Sequence, residues 1–473
     1  MNDYKFTSDV VIGLEIHMEI DTKTKLFCAC STKAKEPNTS TCEICLGFPG
    51  SKPVLNKKVI DYAIRMGLAT KSNIAKELVF SRKNYFYPDM SKNYQITQYE
   101  LPICEKGKIE LSSGKVVNLT RIHIEEDPAS LVHPSGMSSS SYVLVDYNRS
   151  GRPLLEMVTE PELNSSEEAR DFMKQLVNIL QYLKIFDINE GIIKADVNIS
   201  VKESGYKRVE IKNVSGFKEI ERAVEYEIER QKEAVEKGED IVLETRLWDS
   251  EKGITKHMRL KESESDYGYI LDPDLVITDI TSDWVKEVEE NLPELPIERA
   301  KRYVKELKIN GEDAKVLTLD YELSEFFDAV AKKVNPITAA KWVRRELPRV
   351  LNYNNLEFHD IKFTSDHFSD ILELLEAKKI TDNVAKKILE RLCEKGDFDV
   401  KDYVKSEGLE AVADSGALEG IIKQVIDANP KAIEEYKGGK EQSLNFLVGQ
   451  VMRQTRGAAS APEVIELIKK LVN

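Results

Sequence analysis

Glu15, His17 and Glu19 alternate with Leu14, Ile16, Met18 and Ile20 in the stretch VIGLEIHMEI, residues 11–20. A period of two marks a strand with one buried face, so the other face presents carboxylate, imidazole and carboxylate in a row. Groups of that kind, held together, bind a cation or move a proton. Three later segments repeat the pattern. RIHIEEDPA sets Arg121, His123 and Glu125 on one face before breaking into Glu126, Asp127 and Pro128. ADVNISV buries Val197, Ile199 and Val201 and shows Asp196, Asn198 and Ser200, and RVEIKN buries Val209 and Ile211 and shows Glu210 and Lys212. Any one of these alone reads better as a solvated sheet face. Four together, carrying acid, His, Asn and Lys, predict one largely antiparallel sheet whose open face is an acidic site.

A second chemistry lies just downstream. LFCACSTKAKEPNTSTCEICLGFPG holds Cys28, Cys30, Cys42 and Cys45 as C-x-C, a polar loop, then C-x-x-C. Two cysteine pairs around a short loop can close a tetrahedral, structural Zn2+ site; the alternative is a set of free thiols. Cationic candidates follow. Arg82, Lys83 and Lys92 alternate with Tyr85, Phe86, Tyr87 and Tyr94, a mixture that grips phosphate and stacks rings, or else sets core aromatics beside solvated bases. Arg246, Arg259 and Lys261 lie near Glu244, Glu262 and Asp266. Phosphoryl transfer uses such cations with carboxylate-held Mg2+, and a surface salt-bridge network uses the same residues.

These residues need elements to position them. Residues 53–70 show helical periodicity through Val59, Ala63 and Met66. Ser165-x-x-Glu168 is a capping box opening a helix through Ala169, Phe172, Met173, Leu176, Leu180 and Leu183. A further helix is predicted from about Glu219 to Gly238, and the polar link KESGYK predicts a hairpin between the last two acidic strands. Hairpins separated by helices predict an α+β arrangement with helices on one sheet face. NLPELPIERA marks a boundary, beyond which the text is helical; the tail carries Lys437, Lys440, Arg453 and Arg456, either a polyanion contact or a solvated helical end.

The chain has 473 residues, enough for several domains, and a formal charge of −14, which argues against a broad sequence-independent grip on nucleic acid. No apolar run approaches the ~18 residues of a membrane span, and MNDYKFTSDV lacks the apolar core of a signal peptide, so a cytoplasmic protein with no membrane contact is expected. G-x-x-x-x-G-K-[ST], G-x-G-x-x-G after a strand, H-E-x-x-H and G-x-S-x-G do not occur. Any nucleotide must therefore use a sheet face with carboxylate-held Mg2+, as Glu15, Glu125 and Asp196 suggest.

VIGLEIH, RKNYFYPD, TRIHIEED, VDYNRSGRPLLEMVTEPE, ADVNISV, VEIKNV, ETRLWD and LNFLVGQVM, in this order, closely resemble the B subunit family of the tRNA-dependent aspartyl/glutamyl amidotransferases. The resemblance implies an antiparallel cradle (1–292, with the four-cysteine knuckle) related to glutamine synthetase and guanido kinases. A helical domain (293–400) and a YqeY-like tail (401–473) follow. It implies a heterotrimer with an amidase A subunit and a small C subunit, and use of ATP and Mg2+ to phosphorylate the side chain of misacylated Glu-tRNA(Gln) or Asp-tRNA(Asn). Ammonia from the amidase then displaces the phosphate.

Carried over by motif, Glu15, His17, Glu125, Glu126, Glu190 and Asp196 match metal-site positions, and all of these but Glu190 are the expected catalytic residues. Lys83, Lys92, Lys212, Arg246 and Arg259 are candidates for phosphate or channel contacts. The family often has Arg-Cys-Asp where this chain has Lys194-Ala195-Asp196, and D-Y-R-Y-F-P-E-P-D where it has Asp266 to Asp274 with no arginine. The four cysteines occur in those members that carry zinc. The short link after Leu275 leaves no room for the inserted domain of a related archaeal subunit. A non-catalytic, zinc-containing tRNA scaffold is the alternative.

Overall fold

The computed structural model describes residues 9–472 apart from 135–139, 189, 261–267, 357, 397, 412–414 and 456. It divides into two units, one ending at Leu295 and the other beginning at Pro296, within the proline-bearing link NLPELP.

The opening strand, Val10–Glu19, runs through the middle of the first unit's large sheet. Pro153–Thr159 lies on one side and Ile193–Val201 on the other, both antiparallel to it. Beyond Pro153–Thr159 come Val116–Glu126, Tyr94–Thr97, Ser81–Asn84 and Gly268–Leu271. Beyond Ile193–Val201 come Val209–Ser215, Glu244–Asp249 and Ile254–Leu260. Along this path Val209–Ser215 and Glu244–Asp249 pair in parallel and the other neighbours antiparallel. A parallel pair cannot close with a tight turn, and here the helix Phe217–Glu236 makes the crossover.

Alternation decides which face is covered. Ile12, Leu14, Ile16 and Met18 are buried, with Val197, Ile199, Ile122 and Ile124 from neighbouring strands, in one apolar core. Helices complete that core, above all Lys57–Ala69, Ser166–Leu183 and Phe217–Glu236, through Ile60, Phe172, Leu176, Leu180, Ile220 and Val224, with Ser282–Glu290 adding Val288. Burying each such side chain contributes about 1.5–3 kcal/mol. Half of the expected capping box forms: the Ser165 hydroxyl accepts from the Glu168 N–H at 3.2 Å, while the Glu168 carboxylate accepts from the Asn164 N–H at 2.8 Å rather than from Ser165. The third helix starts at Phe217, ahead of the expected start, because Gly216 takes φ +89° and turns the chain directly into it. Phe172→Ala should lower the unfolding free energy by about 3–5 kcal/mol, read from denaturant midpoints. A loss below about 1 kcal/mol would mean that this helix face is not a core face.

The second unit is helical, from Pro296–Lys305 to Ala461–Val472. Its apolar side chains form two separate cores, one from Tyr303 to Leu409 and one from Leu418 to Val472. The helix Val400–Ser406 gives Val400 and Val404 to the earlier core. A π turn at Trp342–Glu346 precedes Pro348, which has no N–H for the helical ladder. No helix among the described residues is long and apolar enough to cross a membrane.

Candidate active site and metal centres

With helices on the apolar side, the polar face of the opening strand is left to line a basin of about 230 Å3. Register places its residues. His17 pairs with Glu156 and Glu156 with His123 across three adjacent strands, while Glu15 pairs with Asp196 on the other side. His17 Nε2 lies 3.3 Å from Glu156 and 3.5 Å from Glu125, and His123 Nε2 lies 3.3 Å from the same Glu156 oxygen. His17, Glu125 and Glu156 thus bring one ligand atom each within 4.8 Å of the others, and Glu15, Asp196 and Glu210 form a second such set.

A bulge builds the second set. Ala195 pairs with Val214 but Val197 with Ile211, so two residues, Lys212 and Asn213, oppose the single Asp196. Lys212 Nζ consequently reaches Asp196 at 2.5 Å and Glu210 at 3.6 Å. Asn198 Nδ2 donates to Glu15 at 3.1 Å.

So many buried acids disturb one another. Burial pushes the Glu15 carboxyl up, and Glu156, Asp196 and Glu210 push it further. Glu125 is raised by burial and by Glu156. Burial opposes the charge on Glu156, yet the two imidazoles hold it well below the usual carboxylate range. Burial alone would lower His17, but Glu156, Glu125 and Asp196 raise it to about 10. Mutual repulsion among clustered carboxylates is what a divalent cation relieves, and the carboxylate oxygens that make up most of both sets suit a hard ion such as Mg2+. The buried Asn198 Oδ1, beside Glu15, has no hydrogen-bond partner among the described residues, a further acceptor for a cation or its water. The residues fit the ion.

The remaining sequence candidates distribute unevenly. Lys83 and Lys212 line the basin with Arg149 and Lys194. Glu126 does not: its carboxylate pairs with Lys92 and accepts from the Ile96 N–H at 2.9 Å. Glu190 lines a neighbouring hollow, 2.8 Å from Lys33, whose ammonium also meets Asp21 at 3.1 Å. Arg246 is engaged on the helix side of the sheet, with Glu244 at 2.8 Å, Thr255 at 2.8 Å and the helix residue Glu227 at 3.6 Å. Arg259 pairs with Thr245 in the sheet; its side chain lies outside the described residues, as do Lys261, Glu262, Asp266 and Arg456. Alternation alone misses Glu156, whose only signal is a single charge inside the apolar run LLEMV.

The four cysteines converge as well. The Sγ atoms of Cys28, Cys30, Cys42 and Cys45 all lie within 4.8 Å of one another, with Cys42 and Cys45 at 3.9 Å. A tetrahedron with Zn–S of about 2.3 Å sets its sulfurs about 3.8 Å apart. The Cys45 thiol is held down to about 4, first by a hydrogen bond from Cys28, against burial, and with help from the Cys42 backbone and Lys25. Cys28 is raised by its hydrogen bond to Cys45 and by burial, and Cys30 is raised to about 11 by burial and Cys42, so the lowered Cys45 is offset by its neighbours. Four sulfurs at this spacing still fit Zn2+, whose own charge would deprotonate them.

Residues 10–286 match the family model described as the GatB/GatE catalytic domain, and residues 325–472 match the GatB domain. Among curated proteins the chain is similar to the B subunit of the aspartyl/glutamyl-tRNA(Asn/Gln) amidotransferase of Carboxydothermus hydrogenoformans, 44% identical over 98% of both chains. It is likewise similar to the proteins of that name from Geotalea uraniireducens, 46% identical over 98% of this chain and 99% of that one, and Clostridium tetani, 44% identical over 98% of both.

Proposed function

The chain belongs to the B subunit family of the aspartyl/glutamyl-tRNA(Asn/Gln) amidotransferases, and from that premise we propose that its basin activates a carboxylate carried on misacylated tRNA. The substrate is Glu-tRNA(Gln), Asp-tRNA(Asn) or both, and the overall reaction is ATP-dependent transamidation. A carboxylate is a poor electrophile. Transfer of the γ-phosphoryl group of ATP to its oxygen, with ADP leaving, makes an acyl phosphate; ammonia then attacks the carbonyl, phosphate leaves, and an amide remains.

What most supports this reading is the meeting of two acid sets and several cations on one uncovered sheet face. His17, Glu125 and Glu156 would hold one divalent ion, and Glu15, Asp196 and Glu210 another. Bound Mg2+ supplies charge neutralisation on the phosphates and polarises the transferred group. Lys212, fixed by Asp196 and Glu210, and Lys83 and Arg149 on the wall offset the repulsion of two approaching anions.

In this reading the first unit is a cradle akin to glutamine synthetase and guanido kinases, with a Zn2+ knuckle. A helical domain and a YqeY-like tail follow, and we set their division after Leu409, where the earlier core ends. An amidase A subunit delivers ammonia, a small C subunit completes the heterotrimer, and the setting is the cytoplasm.

Reconstituted with both partners and given each tRNA separately, the protein should move label from ATP to the misacylated tRNA. Glu15→Gln should abolish the transfer while tRNA still binds; full activity in that variant would refute the assignment, and absence of ATP turnover in the wild type would favour a scaffold. Without Mg2+ the same variant should be the more stable protein at pH 7. The Glu15 carboxyl is raised in the fold, so ionising it there costs more than in the unfolded chain. That penalty is absent below the unfolded value of about 4.5 and complete above the folded one. The gain from glutamine should therefore be seen in melts at pH 7 and vanish near pH 4.

A further inference from the structure

We infer that Lys25 couples metal in the cysteine knuckle to the wall of the acidic basin. The inference rests on reading the four cysteines as metal ligands and goes beyond it, to a residue that touches neither metal nor substrate.

Lys25 is fully buried, at 0% exposure. Its Nζ lies 3.5 Å from Cys45 Sγ and 3.1 Å from the Tyr147 carbonyl oxygen. A buried cation is costly without an anionic partner, and the Cys45 sulfur beside it is the group that can carry that charge. Zn2+ with four thiolates carries a formal excess of two negative charges, and an inner cation beside one thiolate answers it. The burial of Lys25 is thus intelligible when Cys45 is a metal-bound thiolate.

The other end of the bridge points to the chemistry. Tyr147 belongs to the turn 146–152, which the knuckle grips repeatedly. The Leu26 N–H donates to Gly151 O at 2.8 Å, the Ser40 N–H to Asn148 Oδ1 at 2.8 Å, and the Ser150 hydroxyl to Cys45 O at 3.1 Å. The same turn carries Arg149, which pairs with Asp127 at 2.8 Å; both line the basin. The path runs from the Cys45 sulfur through the Lys25 ammonium and the Tyr147 carbonyl to the guanidinium on the wall. Lys25 acts as a positioning residue.

The test uses the full chain and Lys25→Met, which keeps the length of the side chain and removes the charge. With zinc bound, the variant should surrender the metal to a chromophoric chelator at about 10–100-fold lower chelator concentration than the wild type. In the cobalt-loaded chain the thiolate-to-cobalt absorption should shift between wild type and variant, a signature that general loosening does not produce. Amides of 146–152 should exchange faster in the zinc-loaded variant, while those of Ser166–Leu183 report an intact fold. Stripping zinc from the wild type should speed the same amides, and adding the substitution to the stripped chain should change nothing more. Equal zinc retention and unchanged exchange in the variant would overturn the inference and leave the metal reading standing. A wild type that holds no zinc would overturn both. Should the variant not fold, unchanged exchange at 146–152 on stripping the wild type overturns the inference alone.

Discussion

Glu156→Gln is expected to slow ATP-dependent phosphorylation of the misacylated tRNA by about 10²–10³-fold or more, the scale seen when one preorganised charge-stabilising group is removed. Glu156 sits at the centre of the basin. Its carboxylate lies 3.3 Å from both His17 and His123, and it shares a ligand set with His17 and Glu125. Glutamine keeps the shape and the strand register but removes the charge that those imidazoles face. Cation binding should weaken, seen as a higher Mg2+ concentration for half-maximal label transfer. Affinity for tRNA should stay within a few-fold, because a nucleic-acid contact is made by many phosphate-binding groups at once. Glu160→Gln on the same chain segment is the control, since Glu160 meets the Thr120 hydroxyl outside the basin. Equal transfer by Glu156→Gln and wild type would remove Glu156 from the site.

On the proposed reading of the knuckle as a Zn2+ site, Cys45→Ser should leave it without metal and unfold the segment around it. Structural zinc in small zinc-finger peptides contributes about 10–16 kcal/mol of apparent binding, so a site short of one thiolate loses most of its hold. Here the loss is compounded, because the Cys45 sulfur also faces buried Lys25 at 3.5 Å. Metal analysis of the purified variant should show little zinc, and amides of residues 24–52 should lose their protection. The sheet core should persist, since Ile12, Leu14, Ile16 and the three helices pack without the cysteines' sulfurs. A variant that kept zinc and protection would show that the remaining three thiols suffice.

Much of this was legible one residue at a time. The period of two in VIGLEIHMEI, RIHIEED and ADVNISV follows from the backbone of a strand, so Glu15, Glu125 and Asp196 could be assigned to a polar face without knowing which strands are neighbours. The helix cap at Ser165 and the cysteine quartet are local signals too. Glu156 was not legible, because it lies between Leu155 and Met157 in a run apolar on both sides. Only pairing with His17 and His123 turns it inward to the basin. Arg246 went the other way. ETRLWD alternates too weakly to say which side its arginine takes, and the buried helix residue Glu227 settles it. Glu126 and Glu125 are adjacent letters with opposite fates, one tied to Lys92 and one to the basin.

The sequence by itself therefore determined the kind of strand, the kind of ligand and the family, since each is written in residues close together in the chain. Tertiary structure decided which acids meet, which cations are engaged elsewhere, and that the bulge opposite Asp196 brings Lys212 to it. The physical reason is range: side-chain periodicity is fixed by one strand's own geometry, whereas partnership depends on register between strands more than a hundred residues apart in sequence.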